Sequence, residues 1–347
     1  MGPLIPESHV MTTSTVDPAK RRTIAFLNWA HGLDHFVLLI YPTVVLGLGA
    51  VYDRPYSELI VFSTAAFIAF GVFSLPAGLI ADRWSRRNMM GVFYIGVGLS
   101  LALAAFAPNL IILAVASGVY YLWVTPDDRH HAKARKKTAA VSLSPRAMVM
   151  LFGMFIGIAL SAGTVFNLLT IALPKIIDER LASHVPLVLV GSIATLVLIC
   201  GAVAQLCVGR LVERFPAHFL FAVITAICFL GNLWAAYADG VMLMVALAVA
   251  IAAIYGQVTV NDIVLARYTA DAWRGRIYAV RYFLLFISAG IAIAMISLLH
   301  DRGGFTLVLA ANAVMAFAMF ALTVGLAALV TNAEREQAQA IAPQAAE

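Results

Sequence analysis

The apolar positions of this chain fall in long runs broken by short polar stretches, and the runs are long enough to decide the fold class. A membrane-spanning helix needs roughly 17–25 mostly apolar residues. Runs of that kind lie at about 24–50, 58–81, 89–107, 109–125, 147–173, 185–209, 217–238, 240–262, 278–299 and 305–330. They predict an all-α membrane protein with about 10 transmembrane helices, four in a first bundle over residues 24–125 and six in a second over 147–331 (4 + 6). Residues 126–146 read as a basic linker between the bundles, 1–23 as a polar N-terminal tail and 332–347 as a disordered tail. The first tail holds Pro3, Pro6 and Pro18 and has no apolar core before Ile24, so the first helix is expected to be retained rather than cleaved as a signal peptide.

Composition agrees: 62% of the 347 residues are hydrophobic and 12% are charged, against about 25% charged in soluble domains. The net charge of +5 invites a nucleic-acid reading, but its distribution argues for orientation instead. With the N-terminus in the cytoplasm and every run crossing, Lys20 to Arg22, Arg83, Arg86 and Arg87, the linker bases from Arg129 to Arg146, Arg210, Arg214, Arg267, Arg274, Arg276, Arg281 and Arg335 all fall inside. Of the 23 Lys and Arg, only Arg54, Lys175, Arg180 and Arg302 fall outside. This is the positive-inside bias that sets topology; both termini are expected in the cytoplasm and no nucleic-acid partner is expected. Cys200, Cys207 and Cys228 all lie inside predicted spans without metal-ligand spacing.

The two bundles share markers in register. "DHFVLLIYP" ends at Pro42 and "FNLLTIALP" ends at Pro174; "GLIADR" starts at Gly78, 78 − 42 = 36 residues on, and "GRLVER" starts at Gly209, 209 − 174 = 35 residues on. Both later motifs have the form Gly-x-x-x-acid-Arg at the cytoplasmic end of the second helix of their half. Parallel repeats of this sort build the halves of major facilitator transporters. The first half is shorter by about 70 residues, or two helices of about 20 residues with their loops. The stretch "LAVASGVYYLWVTPDD" (113–128) reads as the front of one helix joined to the back of another. Losing an even number of helices keeps the linker on the cytoplasmic side.

"GLIADRWSRRNMM" resembles the signature loop of the major facilitator superfamily, commonly Gly-x-x-x-Asp-Arg-x-Gly-Arg-Arg. Gly78, Asp82, Arg83, Arg86 and Arg87 match, Ser85 departs from the usual glycine, and Gly209, Glu213 and Arg214 make a degenerate second copy. "HGLDHFVLLIYP" and "NDIVLARYTADAWRGRIYAVRY" are similar to the fosmidomycin-resistance-type branch. The loop suits a gate, since a glycine lets helices approach and Asp82 can meet Arg side chains or a helix N-terminus. Read blandly, the arginines are topology anchors.

Ionisable groups at membrane depth cost about 2.5–3.5 kcal/mol on insertion scales and are functional candidates by default. The first helix supplies Asn28, His31 and His35 on one face, with Asp34 at its edge. A His beside a carboxylate suits proton or substrate handling; the alternative is a helix–helix hydrogen-bond cluster. Asn167 aligns with His35 in the repeat, and Gln257, Asn261 and Asp262 lie on the eighth span, which lines the cavity in this superfamily. Asp262 is expected to pair with Arg267 or Arg274, and Gln205 and Asn232 to act as interhelical glue. His130 and His131 lack a third ligand and read as solvated linker. No Gly-rich loop precedes a Lys to cradle a nucleotide, and no catalytic or metal-ligand motif is found.

The resemblance implies a secondary active transporter in the bacterial inner membrane, moving a small molecule by alternating access. Proton-coupled export is the expected form, with protons or another coupling ion as partner and no cofactor. His31, Asp34, His35, Asn167 and Gln257 would serve coupling or binding. A different reading is a transporter-derived binding or scaffold protein: the fourth span has no Arg between Asn109 and Thr125, where the family commonly carries one important to coupling.

Overall fold

The computed structural model describes residues 22, 40–64, 84, 86–106, 145–181, 185–268 and 271–341. The chain divides into two units, Met1–Tyr41 and Pro42–Glu347. The described structure belongs almost wholly to the second.

In hydrocarbon every backbone N–H and C=O must be satisfied within its own segment, which for a long apolar run means a helix. The described elements are α1 (Ile40–Tyr52), α2 (Tyr56–Val61), α3 (Arg86–Ala105), α4 (Pro145–Leu181), α5 (Leu187–Leu211), α6 (Ala217–Tyr237), α7 (Gly240–Tyr268) and α8 (Asp271–Ile341). Five of them, α4 to α8, are long and apolar enough to cross a membrane. Pro55, Pro186 and Pro216 occupy the N-cap positions of α2, α5 and α6, where an N–H would have had no intrahelical partner anyway. In α8 the helical path breaks at Gly303 and Gly304, the latter at φ 58°. That left-handed conformation favours glycine, and it divides α8 into arms of 271–302 and 305–341 where the apolar pattern predicts two spans.

The second half therefore follows its hydropathy closely, with two differences. The run predicted over 147–173 continues as helix through Pro174 to Leu181. At 1.5 Å per residue α4 is about 55 Å long, well beyond a hydrocarbon core of about 30 Å, so its charged last turns project past the apolar layer. At the other terminus, the tail expected to be disordered from 332 instead prolongs α8 to Ile341. Its Ala, Glu and Gln residues are strong helix formers attached to a helix already nucleated. The linker 126–146 lies almost entirely outside the described residues, as do the fourth span and its seam and most of the first two spans.

Packing centres on α8, which lies along both α4 and α6, while α7 lies along α5 and α6. α5 shows how a membrane helix differs from a soluble one. Val190, Ala194, Val197 and Gly201 form a buried stripe at alternating spacings of four and three, yet the opposite face carries Val188, Leu196, Val203 and Leu206, all exposed. Lipid tails are as apolar as leucine, so the outer face needs no polar residues.

Candidate functional site

α4 and α8 meet closely at Gly163, where a Cβ would lie 2.6 Å from Ser288 Oγ. Ser288 Oγ donates across the gap to the Leu160 carbonyl (3.1 Å) and along its own helix to Leu284 (2.7 Å). One turn further along α4, the Asn167 amide donates to the carbonyls of Gly163 (2.8 Å) and Leu285 (3.5 Å). The first of these stays within α4; the second crosses to α8. Facing them from α7, the Tyr255 ring lies 4.9 Å from Phe166, with its hydroxyl at the Thr170 side chain.

Gln257 and Asn261 follow on α7, one turn apart and so on one face. They are only 2% and 4% exposed, and among the described residues Gln257 Oε1 and Asn261 Oδ1 have no hydrogen-bond partner. An unsatisfied buried polar group costs about 1–3 kcal/mol, and native proteins tolerate few of them without a functional reason. Just beyond, Asp262 pairs with Arg281 of α8. The side chain of Arg274, one of its expected partners, lies outside the described residues, and helix packing brings Arg281 to the same carboxylate.

A second polar seam joins α6 to the outer arm of α8. His218 meets Thr331 at 3.4 Å, Thr225 meets Thr323 at 2.7 Å, and Asn312 donates to Asn232 Oδ1 at 2.8 Å. The α6 partners recur every seven residues, the repeat that keeps one stripe against a neighbouring helix. Asn232 also donates to the Cys228 carbonyl, which makes it the interhelical glue its sequence position predicts. Cys200, Cys207 and Cys228 are free thiols.

Of the gate motif, Arg86 and Arg87 open α3, while Gly78, Asp82 and Arg83 lie outside the described residues, as do His31, Asp34 and His35. In the second copy, Gly209 has open space where a Cβ would sit. Glu213 and Arg214 are exposed in the turn after α5, and among the described residues neither makes an ion pair. No group of three or more potential metal ligands exists among the described residues.

No family model matches the chain, and no curated protein sequence matches it. Solved structures do. A bacterial homologue of the iron transporter ferroportin, in an outward-facing state, aligns with a TM-score of 0.54 and 11% identity, covering 84% of this chain and 98% of that one. A variant of the E. coli fucose:proton symporter FucP aligns at 0.54 and 11%, covering 83% and 96%. FucP in the outward conformation, described as a major facilitator superfamily transporter, aligns at 0.55 and 11%, covering 85% and 95%. The fold is thus that of the major facilitator transporters, a multi-pass bundle of membrane helices. At this identity the likeness carries the architecture and leaves the cargo to be argued from the residues.

Proposed function

We propose that this chain is a secondary active transporter of the major facilitator type, moving a small polar molecule across the bacterial inner membrane by alternating access. The observation that carries the reading is the pair of buried amide oxygens, Gln257 Oε1 and Asn261 Oδ1, without a partner among the described residues. In a fold shared with transporters, two buried amide oxygens one turn apart on one helix face offer a solute two convergent acceptors. A bound solute that hydrogen-bonds both groups removes their desolvation cost. Asn167 donates from α4 across to α8 at the Leu285 carbonyl. In the same reading His31, Asp34 and His35 bind or relay the coupling proton, Gly78, Asp82, Arg83, Arg86 and Arg87 gate the cytoplasmic side, and export is the direction of transport.

The test is purified protein in liposomes enclosing a pH-sensitive dye, screened against a broad panel of polar compounds. Substrate-dependent proton movement that is lost in Asp34→Asn and in Gln257→Met supports the proposal. Absence of flux for every compound, with no thermal shift on adding any of them, overturns it. Thermal shifts without flux would favour the binding or scaffold protein.

A further inference from the structure

The first arm of α8 carries Arg281 near its start and His300 near its end. The 300 − 281 = 19 steps between them span about 28 Å of helix, close to a hydrocarbon thickness of about 30 Å. Arg281 is paired with Asp262 of α7, and His300 with Glu179 of α4. Beside that second pair Lys175 bonds Asp178, Arg180 donates to the carbonyls of Ala236 and Ala238, and Tyr56 of α2 lies edge-on to the His300 ring. Across the layer between these two levels the second half holds no Asp, Glu, Lys, Arg or His: none occurs in 147–174, 187–209, 219–238, 240–261, 282–299 or 305–333. Any polar contact made there is made by hydroxyls, amides and backbone.

Several of these groups are committed to the fold. Thr164 donates to the Leu160 carbonyl and Thr170 to that of Phe166, while Asn167 and Ser288 donate to carbonyls of α4 and α8. Asn312 gives its nitrogen to Asn232, and its oxygen stands singly in the α6–α8 seam without a partner among the described residues. On α7 two such oxygens share one face, those of Gln257 and Asn261, with about 5–6 Å between the Cβ atoms of residues so spaced. Asp262 follows Asn261 directly, but successive residues point about 100° apart around a helix. Its carboxylate is also matched by Arg281, so it adds no net charge to the amide face.

A side-chain amide accepts at its carbonyl and donates at its NH2, so its full complement is a group that does both. A hydroxyl does both, whichever way the amide is turned. A carboxylate only accepts and an ammonium only donates, and either brings a charge into a layer where the second half has no counter-charge, which is costly at membrane depth. A metal ion takes several ligands, carboxylates foremost, and among the described residues no group of three or more potential ligands exists. We propose that the solute is an uncharged polyhydroxyl compound, a polyol or a sugar, held by Gln257 and Asn261 through two of its hydroxyls. This rests on the reading of the α7 pair as the solute site. In that reading the charged groups of the first helix, His31, Asp34 and His35, serve the coupling proton, and the amides of α7 serve the cargo.

The experiment measures binding to the full chain in detergent, by thermal shift and titration calorimetry, for a panel of neutral polyols and cyclic sugars. Each is set beside its aldonate and its amino analogue, so that one carbon skeleton is read neutral, negative and positive. At least one neutral member is expected to bind, with its charged analogues about tenfold weaker or more, and Gln257→Met with Asn261→Leu is expected to abolish the binding. Where that double variant does not fold, Gln257→Met or Asn261→Leu alone is expected to weaken it about tenfold. Tightest binding by a charged analogue, lost in the variants, overturns the neutral class and leaves the amide site standing. Neutral binding that a folded variant keeps unchanged overturns the site, and the assignment of the class with it. No binding by any neutral member overturns the class, and the liposome screen of other polar compounds then decides whether the amides carry a different solute.

Discussion

Two neighbouring helices of the same bundle treat their buried amides in opposite ways. On α6, Asn232 uses its oxygen and its nitrogen, taking a bond from Asn312 and giving one to Cys228. On α7, Gln257 and Asn261 are nearly as deeply buried, and neither side-chain oxygen has a partner among the described residues. Both helices lie in apolar surroundings, so composition does not separate them. What separates them is registry. Every seventh residue of α6 finds a polar group on α8, whereas the oxygens of Gln257 and Asn261 on α7 find none among the described residues. A satisfied amide ties helices together; a buried oxygen left unsatisfied costs stability that a hydrogen-bonding ligand restores.

The sharpest way to break the comparison is to make α7 apolar. Gln257→Met with Asn261→Leu is expected to cut substrate flux in liposomes by tenfold or more, a loss of about 1.4 kcal/mol, while leaving the melting temperature equal or higher. A fall in melting temperature without loss of flux would turn these amides into glue. Asn232→Ala is the mirror experiment. It leaves Asn312 unpaired and is expected to cost about 1–3 kcal/mol of stability, seen as a lower melting temperature in detergent, with flux per folded molecule preserved. Thr225→Val removes a single interhelical hydroxyl pair and is expected to cost about 0.6 kcal/mol by the same measurement. Asp262→Asn breaks an ion pair whose carboxylate is 45% exposed. It is expected to change stability by less than about 1 kcal/mol, and less still in high salt.

Much of the second half was legible from its apolar runs, because span length in a membrane is imposed by the thickness of the bilayer and not by neighbours. The runs at 185–209 and 217–238 reappear as Leu187–Leu211 and Ala217–Tyr237. The overrun of α4 past Pro174 was not legible. Hydropathy marks where the lipid ends, while a helix continues into water wherever its residues and contacts allow, and Lys175, Asp178 and Arg180 have contacts there. Asn232 as glue and Gln257 as a site looked alike in the sequence, both lone amides in apolar spans. Glu179, His300 and Tyr56 gave no signal at all. Each stands in a different connection between spans, 56, 179 and 300 along the chain, with nothing in its local pattern to distinguish it from a loop residue.

By itself the sequence determined that the chain is a bundle of membrane helices, where most of those helices run, and the parallel marker pattern that resembles the major facilitator family. These follow from local physics: the solvent is hydrocarbon, and backbone groups must be satisfied within each segment. The tertiary structure alone decided which polar side chains meet. It gave Asp262 to Arg281, Asn232 to Asn312 and His300 to Glu179, and left the oxygens of Gln257 and Asn261 without partners among the described residues. Those outcomes depend on the rotation and registry of whole helices, which are set by close contacts such as Gly163 against Ser288 and by no single stretch of sequence.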